Sequence, residues 1–167
     1  ANHMIECMDF STLPFHDLRA ENLRHDNKKD LAGFITAVQQ AKAYDQARLK
    51  ELQDMINPLA EQNTPPVIGI TGTGGAGKSS LTDEIIVRFL QDIKDISIAI
   101  ICCDPSRRKT GGALLGDRIR MNSIDNERVY MRSLATRQSM SEISEIIGES
   151  IKVAKAAGYD LIITETA

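Results

Sequence analysis

Residues 69–80 read GITGTGGAGKSS, with five glycines among twelve residues and one lysine near the end. From Gly72 the run fits G-x-x-x-x-G-K-[ST], closed by Gly77, Lys78 and Ser79. The apolar PPVIGI before it reads as a short buried strand. After it, SSLTDEIIVRFLQDI places Leu81, Ile85, Ile86, Phe89 and Leu90 at helical spacing. A glycine-rich turn between a strand and a helix N-terminus is what a phosphate-binding P-loop needs. Glycine lets successive N–H groups point inward, and the helix end adds partial positive charge. Gly72, Thr73, Gly74, Gly75, Ala76, Gly77, Lys78, Ser79 and Ser80 are therefore the candidate nucleotide-binding residues. Lys78, the candidate catalytic residue, would reach the β- and γ-phosphates, and Ser79 would ligate Mg²⁺.

The remaining pattern places that loop in an α/β fold. Strands are expected at 66–71, 96–103, 128–132 and 160–165, and helices at 78–92 and 139–157. Continuously apolar strands separated by helices predict a doubly wound, mainly parallel sheet of the P-loop NTPase type, covered on both faces. The helix at 139–157 presents Ile143, Ile146, Ile147, Ile151 and Ala154 on one face, with Gly158 as its cap. Upstream, Leu31, Phe34, Ile35, Val38, Leu49, Leu52, Met55 and Ile56 mark one face of a long helix that Asn57-Pro58 is expected to end. EQNTPP, residues 61–66, reads as a linker. Two units follow, a helical linker or docking segment at 1–62 and the nucleotide-binding domain at 63–167.

Composition narrows the function classes. The 167 residues are 42% hydrophobic and 26% charged, enough for one domain with its own core. A net charge of −3 gives no case for a nucleic-acid partner. Cys7, Cys102 and Cys103 have neither metal-site spacing nor a disulfide framework, so a reducing cytoplasm is the expected setting. No apolar run approaches the roughly 18 residues of a membrane span.

Carboxylates stand where such a sheet places chemistry, beyond the carboxyl ends of its strands. Asp104 directly follows IAIICC, and Asp117 follows a segment containing Gly111, Gly112 and Gly116. Glu165 stands near the end of DLIITET. Beside a phosphate loop, each is a candidate Mg²⁺ ligand together with Ser79. An N-K-x-D, the form of a guanine reader, occurs at Asn27 to Asp30. No apolar strand precedes it, which argues against that role.

The run DPSRRKTGGALLGDRIRMN, followed by YMRSLATR and LIITET, resembles the GTPase domains that attend adenosylcobalamin-dependent acyl-CoA mutases. The likeness covers about residues 63–167 and is strongest to the domain carried within fused isobutyryl-CoA mutases. Stand-alone chaperones of methylmalonyl-CoA mutase are similar to a lesser degree. The resemblance implies GTP and GDP as nucleotides and a switch or chaperone that controls cofactor loading and protection. It implies a mutase as partner and a homodimeric assembly. It assigns Ser79, Asp104, Asp117 and Glu165 to the magnesium position and residues 105–120 to a first switch. Arg107, Arg108, Lys109, Arg118 and Arg120 become candidate charge donors or partner contacts.

The family's second switch and N-K-x-D reader would follow Ala167, so the sheet is expected to be incomplete within these residues. None of His3, His16 and His25 lies in the cobalamin motif D-x-H-x-x-G, which leaves adenosylcobalamin to a partner or to other sequence. Two other classes share the P-loop. One is a small-molecule kinase, which needs an acceptor pocket. The other is an interaction module that binds nucleotide with negligible hydrolysis.

Overall fold

The computed structural model describes residues 18–103, 121–134 and 140–166. Its first long element is α1, Lys28–Tyr44, and the second is α2, Gln46–Gln62. Asn27 caps α1: its side-chain oxygen accepts from the Asp30 N–H at 3.3 Å, and its amide donates to the Asp30 carboxylate at 2.8 Å. The N-K-x-D at 27–30 is thus a helix cap. It lies at the amino ends of the strands, where Lys28 donates to the Asn126 carbonyl ahead of the third strand.

Two expectations for this region need correction. The apolar face continues from Leu31, Phe34, Ile35 and Val38 to Leu49, Leu52 and Ile56, but the helix carrying it is broken at Asp45. Asp45 leaves the helical region, with φ −149° and ψ 89°, and its carboxylate accepts the Arg48 N–H at 3.0 Å. It therefore ends one helix and caps the next. Pro58, in turn, does not end α2. Leu52, Ile56 and Ala60 are buried at four-residue spacing across it, and that packing outweighs the roughly 3 kcal/mol interior cost of a proline.

The rest of the chain alternates as expected: β1 Val67–Thr71, α3 Lys78–Asp92, β2 Ile98–Cys103, β3 Val129–Leu134, α4 Met140–Ala156 and β4 Leu161–Thr166. A short 3-10 turn at Ser123–Asp125 precedes β3. All strand pairs are parallel, in the order β1-β4-β2-β3. Gly158, at φ 80°, ends α4 in the left-handed conformation that glycine accepts without cost.

Period-two alternation divides the sheet between two cores. Ala99, Ile101, Cys103, Tyr130, Leu134 and Ile162 pack against α1, α2 and α4. Ile98, Ile100, Cys102, Val129, Met131, Leu161 and Ile163 pack on the other face against Ile86 of α3, with Ile85, Phe89 and Leu90 beside it. The side chain of Ile143 lies outside those described. Two positions depart from expectation. Leu81 is 55% exposed, while Thr82 takes the buried place beside it. β1, expected to be buried, is the edge strand among the described residues, with Val67 and Ile68 exposed, because there it pairs with β4 on one side only.

The amino end of the sheet is closed by polar clamps. The Asp160 carboxylate accepts from the Ser97 N–H at 2.8 Å and its hydroxyl at 2.7 Å. Arg128 donates to the Leu90, Ile93 and Lys94 carbonyls, holding the C-terminus of α3. Both leave the carboxyl end free for chemistry.

Candidate functional site

The GITGTGGAGKSS loop joins β1 to α3 at the carboxyl ends of the strands. Gly75 and Gly77 have φ of 82° and 85°. A Cβ added at either would meet nothing within 4 Å, so glycine is required there by backbone conformation and not by space. At Gly77 the left-handed residue turns the chain into α3, whose first N–H groups have no intrahelical acceptor and point toward the loop. Oriented N–H groups at a helix N-terminus bind anions.

Lys78 Nζ donates to the Gly72 carbonyl at 2.6 Å and the Thr73 carbonyl at 3.1 Å. Its stem lies along Gly72, where an added Cβ would stand 3.6 Å from Lys78 Cδ. The ammonium is therefore held at the mouth of the loop by backbone oxygens, and a phosphate oxygen can take their place. Thr82, not singled out from the sequence, is buried and donates to the Lys78 carbonyl at 2.9 Å.

Sequence-distant residues meet at the next position. The Ser79 hydroxyl donates to Glu165 Oε1 at 2.8 Å, joining the start of α3 to the end of β4. Because β4 lies beside β1 in the sheet, the acidic strand end is adjacent to the phosphate loop. Glu165 Oε2 is buried with no hydrogen-bond partner among the described residues. A buried carboxylate oxygen left in that state is costly unless a donor or cation satisfies it. The serine donates its proton to Oε1, so its lone pairs remain available. Two hard oxygens, one anionic, suit Mg²⁺.

The other expected metal ligands, Asp104 and Asp117, lie outside the described residues, as do Arg107, Arg108, Lys109, Arg118 and Arg120. Among the described residues, no three His, Cys, Asp or Glu side chains cluster as a metal site. Nor is any described helix long and apolar enough to cross a membrane.

One contact near the site was not foreseen from the sequence. Asp83, one turn beyond Ser79, accepts from the Ser123 N–H at 2.9 Å and the Asn122 N–H at 3.2 Å. Burial pushes its carboxyl up, but the hydrogen bonds from Ser123 and Asn122 together outweigh burial and hold it below the usual carboxylate range. The sequence signal available was the four-residue spacing from Ser79, which puts both side chains on one helix face.

The family model described as Methylmalonyl Co-A mutase-associated GTPase MeaB matches residues 31–167. The chain is 49% identical over 173 residues to the fused isobutyryl-CoA mutase of Geobacillus kaustophilus, a match covering 99% of this chain and 15% of that protein. It is 54% identical over 141 residues to the fused isobutyryl-CoA mutase of Cupriavidus metallidurans, covering 84% and 12% respectively. Among solved structures it is similar to an LAO/AO transport system kinase, with a TM-score of 0.64 and 27% identity over 87% of this chain and 41% of that one. The chain thus spans less than half the length of each of these proteins.

Proposed function

Because this chain belongs to the MeaB family of methylmalonyl-CoA mutase-associated GTPases, we propose that it binds GTP and GDP at residues 72–80 with Mg²⁺ and hydrolyses GTP. In this reading it acts as a switch or chaperone that controls the loading of adenosylcobalamin into an acyl-CoA mutase and the cofactor's protection there. The relatives named fused isobutyryl-CoA mutase support isobutyryl-CoA mutase as the partner. Adenosylcobalamin itself belongs to the partner or to other sequence. A homodimer and a cytoplasmic setting belong to the same reading.

The observation that carries the proposal is the 2.8 Å contact of Ser79 with Glu165 beside a carboxylate oxygen without a partner. Ser79 and Glu165 would hold Mg²⁺, with Asp104 and Asp117 assigned to it by sequence. When bound, the ion neutralises charge on the phosphate oxygens. The chain's own groups do the rest. The loop N–H groups orient the phosphates, Lys78 places a fixed positive charge against them, and Glu165 holds the Ser79 hydroxyl in one rotamer. Phosphoryl transfer depends on such positioning and charge more than on covalent catalysis.

Titration of the full-length protein with GTP and ATP tests this. GTP is expected to bind in preference to ATP. Lys78→Ala is expected to weaken triphosphate binding by at least tenfold with little change in thermal stability, since among the described residues the lysine is bonded only to its own loop. Unchanged affinity in Lys78→Ala would remove the phosphate-loop assignment, and equal affinity for ATP would remove the guanine assignment.

A further inference from the structure

Helix α3 is the element whose first turn must face the phosphates, yet apolar packing holds that end weakly. Gly77 provides no side-chain cap, Leu81 is exposed, and Ile86, the helix's fully buried apolar side chain, lies two turns from the loop. The restraints near the loop are polar. Ser79 donates to Glu165 on β4. Asp83 accepts from the backbone N–H groups of Asn122 and Ser123, with Asn122 Nδ2 at 3.5 Å. The first two turns of α3 are thereby fixed at two points, one to the strand beside β1 and one to the segment that enters β3.

We propose that Asp83 is a positioning residue of the nucleotide site: its carboxylate sets the tilt of α3 and, through it, the aim of the loop N–H groups at the phosphates. This rests on reading residues 72–80 as that site. The alternative is that Asp83 only caps the 3-10 turn at Ser123–Asp125, whose N-cap Asn122 makes no side-chain cap bond of its own. Such a cap would contribute to stability without affecting the ligand. Asp160 offers a matched control, a carboxylate that likewise accepts a backbone N–H and ties two segments together, but at the far end of the sheet.

The test uses the full-length protein with Mg²⁺ and measures affinities for fluorescent GTP and GDP analogues, alongside melting temperatures. Asp83→Ala is expected to lose about tenfold in affinity, the scale of a hydrogen bond to a charged group. The loss should be equal for GTP and GDP, because the loop N–H groups face phosphates common to both. Asp83→Asn, which keeps one acceptor oxygen, should recover part of it. Asp160→Ala should lower the melting temperature and leave affinity within about twofold of wild type. Affinity of Asp83→Ala within about twofold of wild type overturns the proposal, as does a loss confined to GTP. Should the alanine variant fail to fold, the asparagine variant decides on the same criteria, with a smaller loss expected. If Lys78→Ala also leaves affinity unchanged, the nucleotide-site reading falls and this proposal with it. A Lys78 effect without an Asp83 effect overturns the positioning role alone.

Discussion

The two flanks of the sheet are built differently. Over β2, β3 and the inner side of β4, three helices bury Leu31, Phe34, Ile35 and Leu52 together with Ala99, Ile101 and Ile162. Beside β1 a single helix among the described residues covers the sheet, and Val67, Ile68, Leu81 and Ile93 are 41%, 37%, 55% and 45% exposed. A groove lined by Pro66, Ile68, Phe89, Ile93 and Leu161 runs along that side. The phosphate loop belongs to the thinly covered flank, the helical hairpin to the closed one. Among the described residues, the candidate site is restrained by polar contacts and the closed flank by apolar packing.

Three substitutions in the full-length protein probe this contrast. Phe34→Ala, at the centre of the closed flank, is expected to cost about 3–5 kcal/mol by chemical denaturation. A cost near zero would mean that the hairpin does not share a core with the sheet. Asn27→Ala removes the cap of α1 and should cost about 1 kcal/mol while leaving nucleotide affinity unchanged. A loss of guanine selectivity would instead return Asn27 to consideration as a base reader. Leu81→Gln, on the open flank, should change stability by no more than about 0.5 kcal/mol. If it cost as much as Phe34→Ala, the flanks would not differ as described.

The strands and the phosphate loop could be read from the sequence because their signals are local. IAIICC is an unbroken apolar run, LIITET opens on one, and G-x-x-x-x-G-K-S is a spacing that only a few backbone paths satisfy. The features that escaped depend on tertiary context. Pro58 looked like a terminator because its cost is intrinsic, whereas the burial of Leu52, Ile56 and Ala60 that offsets it appears only once α2 meets its neighbours. Asp45 is of a type that caps helices, but the apolar stripe continuing across it gave no sign of the break. Leu81 fitted the helical period, but with β1 at the edge no described residue covers it. The same holds at the site. Ser79 and Glu165 were expected together because a parallel sheet gathers strand ends, while the Asp83 contact required knowing where residues 122–123 pass.

The strand order also imposes an order in time. β1 precedes the other strands in the chain, yet its partner is β4, with Val67 opposite Ile162 and Thr71 opposite Thr166. A ribosome therefore makes the phosphate loop before β4, the neighbour of its strand among the described residues. Closing so long a loop before its contacts can form is the slow step in parallel topologies. Until β4 has been made the nucleotide motif sits on a strand without that neighbour, and the Ser79 contact with Glu165 becomes possible only when β4 docks.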